Sequence, residues 1–536
     1  MREQDKCYLF KTNPLYAICM FITIMTLFLL TACSSLNTYP PYQHTYTSEN
    51  DTPPDPQPPE RQAPDEPFPD DGILRLSMRH PLTLNPLLNE DATVAPILRL
   101  LFEPLVILDE NLQPTGHLAH MDLASDFASA TLTIRNDALW GDGMPVTADD
   151  LIFSVEVLRL APDAVIYKRN VENIARVDRI DTRTVLITFE RASITAAYSL
   201  NFPIIPRHYY QGHVNTRSPL NMAPLGNGPY RFESVTPMQS MTLERNPYTF
   251  RRAHIEQIDV LFIPDAITKL HAFDQGVVDA IRLPFAEWMK HHSVKPVNHE
   301  EFPAMYFEFI GFNFQREIFQ DERTRQGIAH AFNTEEAMSA VYLHQAVRAV
   351  SPIHPHSWMH DDTITGPVYS PSLATQILRA VRPPEPLEIL VNTEHIERVH
   401  IAERLSASLG TAGLPAKVVE LPFDKYYNRL MYGDFDLFLG FMQLDFVPNF
   451  AFMFQEGPLF GLDPVMEGLF ASLSIASTES AYLQAVSQLQ QGFVDRLPII
   501  SLGFRHSAVL TGTRVEQGRA PASDNVFAFA NEWRIR

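Results

Sequence analysis

Few residues in this chain are spaced for bond-making chemistry. No Gly-x-Ser-x-Gly elbow, P-loop or Gly-x-Gly-x-x-Gly fingerprint occurs, and Gly226-Asn227-Gly228 lacks a third glycine at the required distance. His395 and His400 bracket Glu397 in the run His-Ile-Glu-Arg-Val-His. Five residues apart, they cannot share a helix face as zinc ligands four apart do. His354-Pro355-His356 with His360 places imidazoles close enough to suit nickel, copper or zinc. No cysteine or close pair of acids completes that set, and a solvated, His-containing loop is the simpler account. Catalysis would have to rest on unmarked carboxylates, so the sequence points to a protein that is not an enzyme and carries no cofactor or structural metal.

The cysteines point to a compartment. Cys7, Cys19 and Cys33 are the only three, and 503 residues follow without another. Arg2, Lys6 and Lys11 precede a 16-residue, mostly apolar run, Leu15 to Leu30, which ends in Leu30-Thr31-Ala32-Cys33. A basic start, an apolar core and small residues before a cut describe a secretory signal. The run falls short of the roughly 20 residues of a membrane span. Its last four residues resemble a bacterial lipobox, which makes residues 1–32 a signal peptide and Cys33 a lipidated N-terminus. An uncleaved anchor helix that happens to end in cysteine is the alternative.

Cleavage after Ala32 leaves 504 of 536 residues, well past the roughly 250–300 at which one core stops growing, so several lobes are expected. The formal charge of −21 argues against nucleic acid, whose binding rests on Lys and Arg. Residues 33–71 hold ten prolines among Ser, Thr, Asp and Glu and read as a disordered tether. Periodicity then predicts strands at Ile73–Met78, Thr131–Arg135, Thr184–Glu190, Ile258–Phe262, Met305–Phe314 and Leu387–Val391, and near Val418–Leu421. Helices are predicted after Thr147, over 321–343 and through Ala402, Leu405 and Leu409. Strands and helices interleave, as in α/β lobes.

Leu139-Trp140-Gly141-Asp142-Gly143-Met144-Pro145-Val146-Thr147-Ala148-Asp149-Asp150 joins a strand, a glycine turn and a capped helix. Each part has a structural job, yet the whole resembles the W-[SG]-D-G-x-P-[VL]-T-A-x-D segment of solute-binding protein family 5, the peptide-binding lipoproteins of ABC importers. Seven further stretches follow the family's order. They are Thr83-Leu84-Asn85-Pro86, Leu101-Phe102-Glu103-Pro104-Leu105, Gly226-Asn227-Gly228-Pro229-Tyr230-Arg231-Phe232, Leu243 to Tyr248, Pro264 to Asp279, Asp321 to Gln326, and Gly433-Asp434-Phe435-Asp436. Pro104 replaces the usual glycine, Asn333 a common aspartate, and His120-Met121-Asp122 the usual Glu-Ser-Trp.

The resemblance implies a periplasmic-binding-protein-like α/β fold of three lobes, the first discontinuous and the second inserted into it. Lobe I would hold 72–102, 223–305 and 490–536, lobe II 103–222, and lobe III 306–489, with the ligand cleft between lobes I and III. It implies capture of an oligopeptide by main-chain pairing, which gives affinity without reading sequence. The pairing segments would be Glu90-Asp91-Ala92 and Gly440-Phe441-Met442, continuing to Asp445. Phe441 would line a pocket, or equally be ordinary core. Asp445, one residue farther from Gly440 than in the family, would bind the peptide's α-amino group; otherwise it is a surface turn aspartate before Pro448. The partners implied are permease subunits of the importer and a membrane reached by the lipid anchor, for a monomer in the cell envelope or periplasm. Nickel, haem or another non-peptide solute, or a signalling peptide sensed without transport, are the alternatives.

Overall fold

The structure is a computed structural model that describes residues 72–284, 297–457 and 459–536. Cys33, the signal segment and the proline-rich stretch lie outside the described residues. Strand β1 (Ile73–Met78) alternates half-buried and buried residues, as its sequence predicts. It pairs in parallel with β10 (Gln257–Phe262), which joins β9 (Ser240–Arg245) and β8 (Tyr230–Thr236) in a four-stranded sheet. A parallel pair needs a crossover, and here that connection contains a second sheet, ordered β4 (Ala119–Leu123), β5 (Ser129–Ile134), β7 (Thr184–Phe189) and β6 (Ile174–Arg179).

The tryptophan–glycine segment locks these two sheets locally. Trp140 is fully buried, and its indole N–H donates to Asp150 at 3.3 Å. Thr147 and Asp150 form a reciprocal capping box that starts the helix Ala148–Leu160. Gly141 N–H donates to the Gly226 carbonyl, and Asn227 accepts from Glu103 N–H. A Cβ on Gly226 would lie 1.9 Å from the Leu101 carbonyl oxygen, so only glycine fits. The stretches that look most like signatures are thus mutual packing contacts.

The largest sheet has seven strands, with β11 (Ala280–Pro284) at one end. β17 (Ile499–Gly512), β12 (Val297–Phe312) and β16 (Leu437–Gln443) follow antiparallel; β14 (Leu387–Asn392) and β15 (Ala416–Leu421) then continue in parallel. The short β13 (Ala346–Arg348) also pairs with β17. The helix Ile396–Thr411 makes the crossover from β14 to β15 and buries Val399, Ala402, Leu405 and Leu409 against them. β12 begins eight residues earlier than the sequence predicts, because Val297–Phe302 also pair with β17. The pairing shifts register between Pro303 and Phe307 and again between Glu308 and Phe309, and Gly503, paired with Glu308 at the second shift, takes φ +151°.

The helix predicted over 321–343 is two helices, Glu322–Ala331 and Thr334–Tyr342. Phe332 turns extended, and the Asn333 side chain accepts from Glu336 N–H to start the second helix. The residue noted above as replacing an aspartate is therefore a cap, a role Asn fills as well as Asp.

Candidate functional site

β16 is paired on one side with β12, but β14 reaches it only at Leu437 and Phe438. From Gly440 to Gln443 its other edge has no strand partner among the described residues. An open edge exposes main-chain donors and acceptors that an extended chain can take up. Gly440 is buried and admits no side chain, since a Cβ would sit 2.5 Å from the Phe309 ring. Phe441 is 39% exposed and Met442 half-buried. Asp445, two residues beyond the strand, is exposed, and its Oδ2 accepts from the Asn449 amide at 3.2 Å.

Directly across the strand pair from Phe441 stands Glu308, 1% exposed. Its carboxylate meets Arg398 Nε at 2.9 Å and Arg505 Nε at 3.0 Å. Arg398 also donates to Asn392, and its guanidinium lies 4.1 Å from the Phe441 ring centre; that of Arg505 lies 5.8 Å away. Two guanidiniums against one carboxylate leave one positive charge beneath the ring, and the ring face stabilises it. Burial, with Arg398 and Arg505 nearby, pushes the His395 imidazole down to about 4, so it is neutral at physiological pH and adds no further charge.

Glu90 and Asp91 lie in irregular chain and Ala92 in the turn that follows, none of them in a strand. The Asp91 carboxylate accepts from the Thr93 amide and hydroxyl, and the Asp91 carbonyl from Val94 N–H, which leads into the helix Ala95–Leu101. Among the described residues no hydrogen bond or ion pair joins this turn to β16. The structure therefore groups Gly440, Phe441, Met442 and Asp445, and sets Glu90 to Ala92 on a separate loop.

A cavity of about 640 Å³ opens between the hairpin β2 (Val106–Leu108)–β3 (Pro114–Gly116), His356, and the C-terminal segment from Arg519 to Phe529. A neighbouring space of about 180 Å³ shares Ile107, Leu108, Arg519, Asp524 and Phe529. Its walls are charged but paired: Arg251 meets Glu103 at 3.1 Å, His117 meets Glu103 at 2.6 Å, and Arg99 meets Asp524 at 3.6 Å. Burial would raise the Glu103 carboxyl, but Arg251 and His117 outweigh it and hold the group below its ordinary value.

The sequence reading passed over Glu308, Arg398 and Arg505, which lie in three elements far apart in the chain. The signal available was one acid in an otherwise apolar strand, Phe307-Glu308-Phe309. The loop that carries His354 is not solvated at that residue. His354 is 2% exposed, packs 4.5 Å from the Phe504 ring, and is pushed down to about 3 by burial, with His356, His506 and His360 adding to it. Among the described residues no group of three or more His, Cys, Asp or Glu is placed to hold a metal ion.

The family described as bacterial extracellular solute-binding proteins, family 5 Middle, matches residues 113–455. The chain belongs to family 5. A probable peptide-binding protein YejA of Agrobacterium fabrum is 28% identical over 313 residues, 52% of this chain and 50% of that protein. A putative ABC transporter peptide-binding protein of Brucella ovis is 22% identical over 62% of this chain and 65% of its own length. The chain thus spans about half the length of the relatives it matches first. Among solved structures, the ABC transporter substrate-binding protein CtaP of Listeria monocytogenes superposes with a TM-score of 0.75 at 18% identity, covering 86% of this chain and 99% of that one. NikZ of Campylobacter jejuni in complex with Ni(L-His) gives 0.65 at 20% identity, with 86% and 99% covered. The oligopeptide-binding AppA of Bacillus subtilis in complex with a nonapeptide gives 0.60 at 20%, with 87% and 98% covered. These likenesses establish the periplasmic-binding-protein fold of this family 5 chain. No helix among its described residues is long and apolar enough to cross a membrane.

Proposed function

We propose that this family 5 protein captures oligopeptides outside the cytoplasm and hands them to the permease subunits of an ABC importer. The observation that carries the peptide reading is the open edge of β16. It offers main-chain pairing, with the Asp445 carboxylate just past one end and the excess positive charge of Arg398 and Arg505 under Phe441. Main-chain groups flanked by charges of both signs complement a zwitterionic peptide better than a bare metal ion or a porphyrin. The relatives named for peptide binding support the same ligand class.

The lobe division expected from sequence fits this reading. Strands β1 and β8–β10 would belong to lobe I, β4–β7 to lobe II, and β13–β16 to lobe III. The long strand β12 would run from lobe I into lobe III beside β17 of lobe I, and the register shifts after Pro303 and Glu308 together with Gly503 would form the hinge on which the cleft closes. Family folds host several ligands, so the ligand class is decided by the site. A thermal-shift screen of a peptide pool, nickel and haem tests it. Ligand at 100 times Kd should add roughly 2.7 kcal/mol of stability. A shift with peptides alone is expected; a shift with only nickel or haem would replace the peptide reading.

Anchoring through Cys33 belongs to the same proposal. Two acyl chains give the stable attachment that one does not. The wild-type chain should incorporate a labelled fatty acid and Cys33→Ala should not; equal labelling would refute the anchor.

A further inference from the structure

We propose that the Tyr426 hydroxyl ends the open edge of β16 and so limits an extended ligand to main-chain pairing with Phe441 and Gln443. This rests on the peptide reading above and adds to it the register in which the ligand lies.

Successive residues of a strand turn their N–H and C=O groups to opposite edges. The bonds of β16 to β12 fall on even-numbered residues. Asp436 O accepts from Asn313 N–H at 3.0 Å, and Leu444 N–H donates to Met305 O at 2.8 Å. The unbroken register between these two bonds gives Phe438, Gly440 and Met442 to the same side. The other edge therefore belongs to Leu437, Leu439, Phe441 and Gln443. β14 covers it as far as its last pairing, Leu390 with Phe438. The next carbonyl outward, that of Leu439, accepts from the Tyr426 hydroxyl at 2.7 Å. Among the described residues no hydrogen bond takes up the main-chain groups of Phe441 and Gln443 on that edge.

Tyr426 is held in place from several sides. Its helix, Phe423–Met431, starts where the Glu394 carboxylate accepts from Phe423 N–H at 2.8 Å. The side chain is buried in one apolar cluster with Leu390 and Phe438, the last paired residues of the two strands. Burial pushes its phenol up, so the hydroxyl keeps its proton and remains a donor.

The place is also one where a sheet of this kind takes a ligand. β14 lies between β15 and β16, so the chain crosses from β14 to β15 and then returns past β14 to β16. The first crossover helix, Ile396–Thr411, packs with Ile389 and Val391; the second, Phe423–Met431, packs with Leu390 on the opposite face. The crevice at such a reversal, beyond the carboxyl ends of the strands, is the usual ligand site of open α/β sheets. An extended ligand laid there takes the place that β14 vacates beside β16, and it meets Tyr426 at Leu439. A hydroxyl that served only to fix the helix would leave the ligand's register untouched, and this separates the two roles.

The test is calorimetric affinity for the tightest-binding heptapeptide of the pool screened above and for its six singly N-methylated forms, each lacking one main-chain donor. In wild type, N-methylation at two positions, two residues apart, should weaken binding by roughly 2- to 10-fold, the range of one hydrogen bond, as the donors to Phe441 O and Gln443 O are lost. Tyr426→Phe keeps the ring and frees the Leu439 carbonyl, so a third sensitive position should appear two residues beyond one of these. The same two positions in both proteins, or a third in that alternate series already in wild type, overturns the role of Tyr426. Binding that no N-methylation weakens overturns the pairing along β16 and leaves the peptide reading standing. Failure of every peptide in the pool to bind overturns the peptide reading itself.

Discussion

Glutamine in place of Glu308 should lower the unfolding free energy by about 3–5 kcal/mol, the cost of leaving a buried charge without its partner. Glu308 and Arg398 are each 1% exposed, so water cannot take over when the carboxylate is neutralised. An amide of the same shape keeps one acceptor for two guanidiniums, at 2.9 and 3.0 Å in the native pair. Arg505 is 12% exposed at its side chain and can turn outward; Arg398 cannot. The deficit should therefore be relieved largely by pairing Glu308→Gln with Arg398→Met, which removes the stranded cation. Urea denaturation of wild type, the single variants and the double variant measures the coupling. A single-variant loss below about 1 kcal/mol would mean that Asn392 and the Phe441 face already satisfy Arg398. Since Phe441 packs on this cluster, the variant should also loosen the end of β16 where the ligand is proposed to pair.

The second large effect is expected at Asp445. In wild type a peptide with a free amino terminus should bind roughly 10- to 150-fold more tightly than its N-acetylated form, the range of one charge-assisted hydrogen bond. Asp445→Asn should lose most of that preference while keeping the main-chain pairing. Asp445 is exposed, and an exposed ion pair is worth little. The preference therefore requires the ligand and the closing cleft to exclude water around the carboxylate. Asn449, bonded to Oδ2, holds the group in place beforehand. Calorimetry on both peptides and both proteins decides the matter. Full preference retained in the variant would place the amine elsewhere, and no preference in wild type would remove the amine from recognition altogether.

How much of this was legible beforehand follows the range of the interactions involved. Leu74, Leu76 and Met78 alternate with half-buried neighbours along six residues, so β1 reads directly. Thr147 and Asp150 meet three residues apart, so their helix start reads as well. Asn333 shows the limit: its sequence neighbourhood is helical on both sides, and only the extended Phe332 turns it from an interior residue into a cap.

The candidate site lies beyond that limit. Glu308, Arg398, Phe441 and Arg505 come from β12, the crossover helix, β16 and β17, which meet only once the seven-stranded sheet is assembled. Sequence by itself determined the interleaved strands and helices and the family, because each depends on short-range periodicity or on a run of contiguous residues. The tertiary structure alone decided which strand edge stays open, and that Asp445 is exposed while Glu308 is buried. Those outcomes depend on elements brought together from distant parts of the chain, and no local pattern encodes the desolvation and pairing that such partners impose.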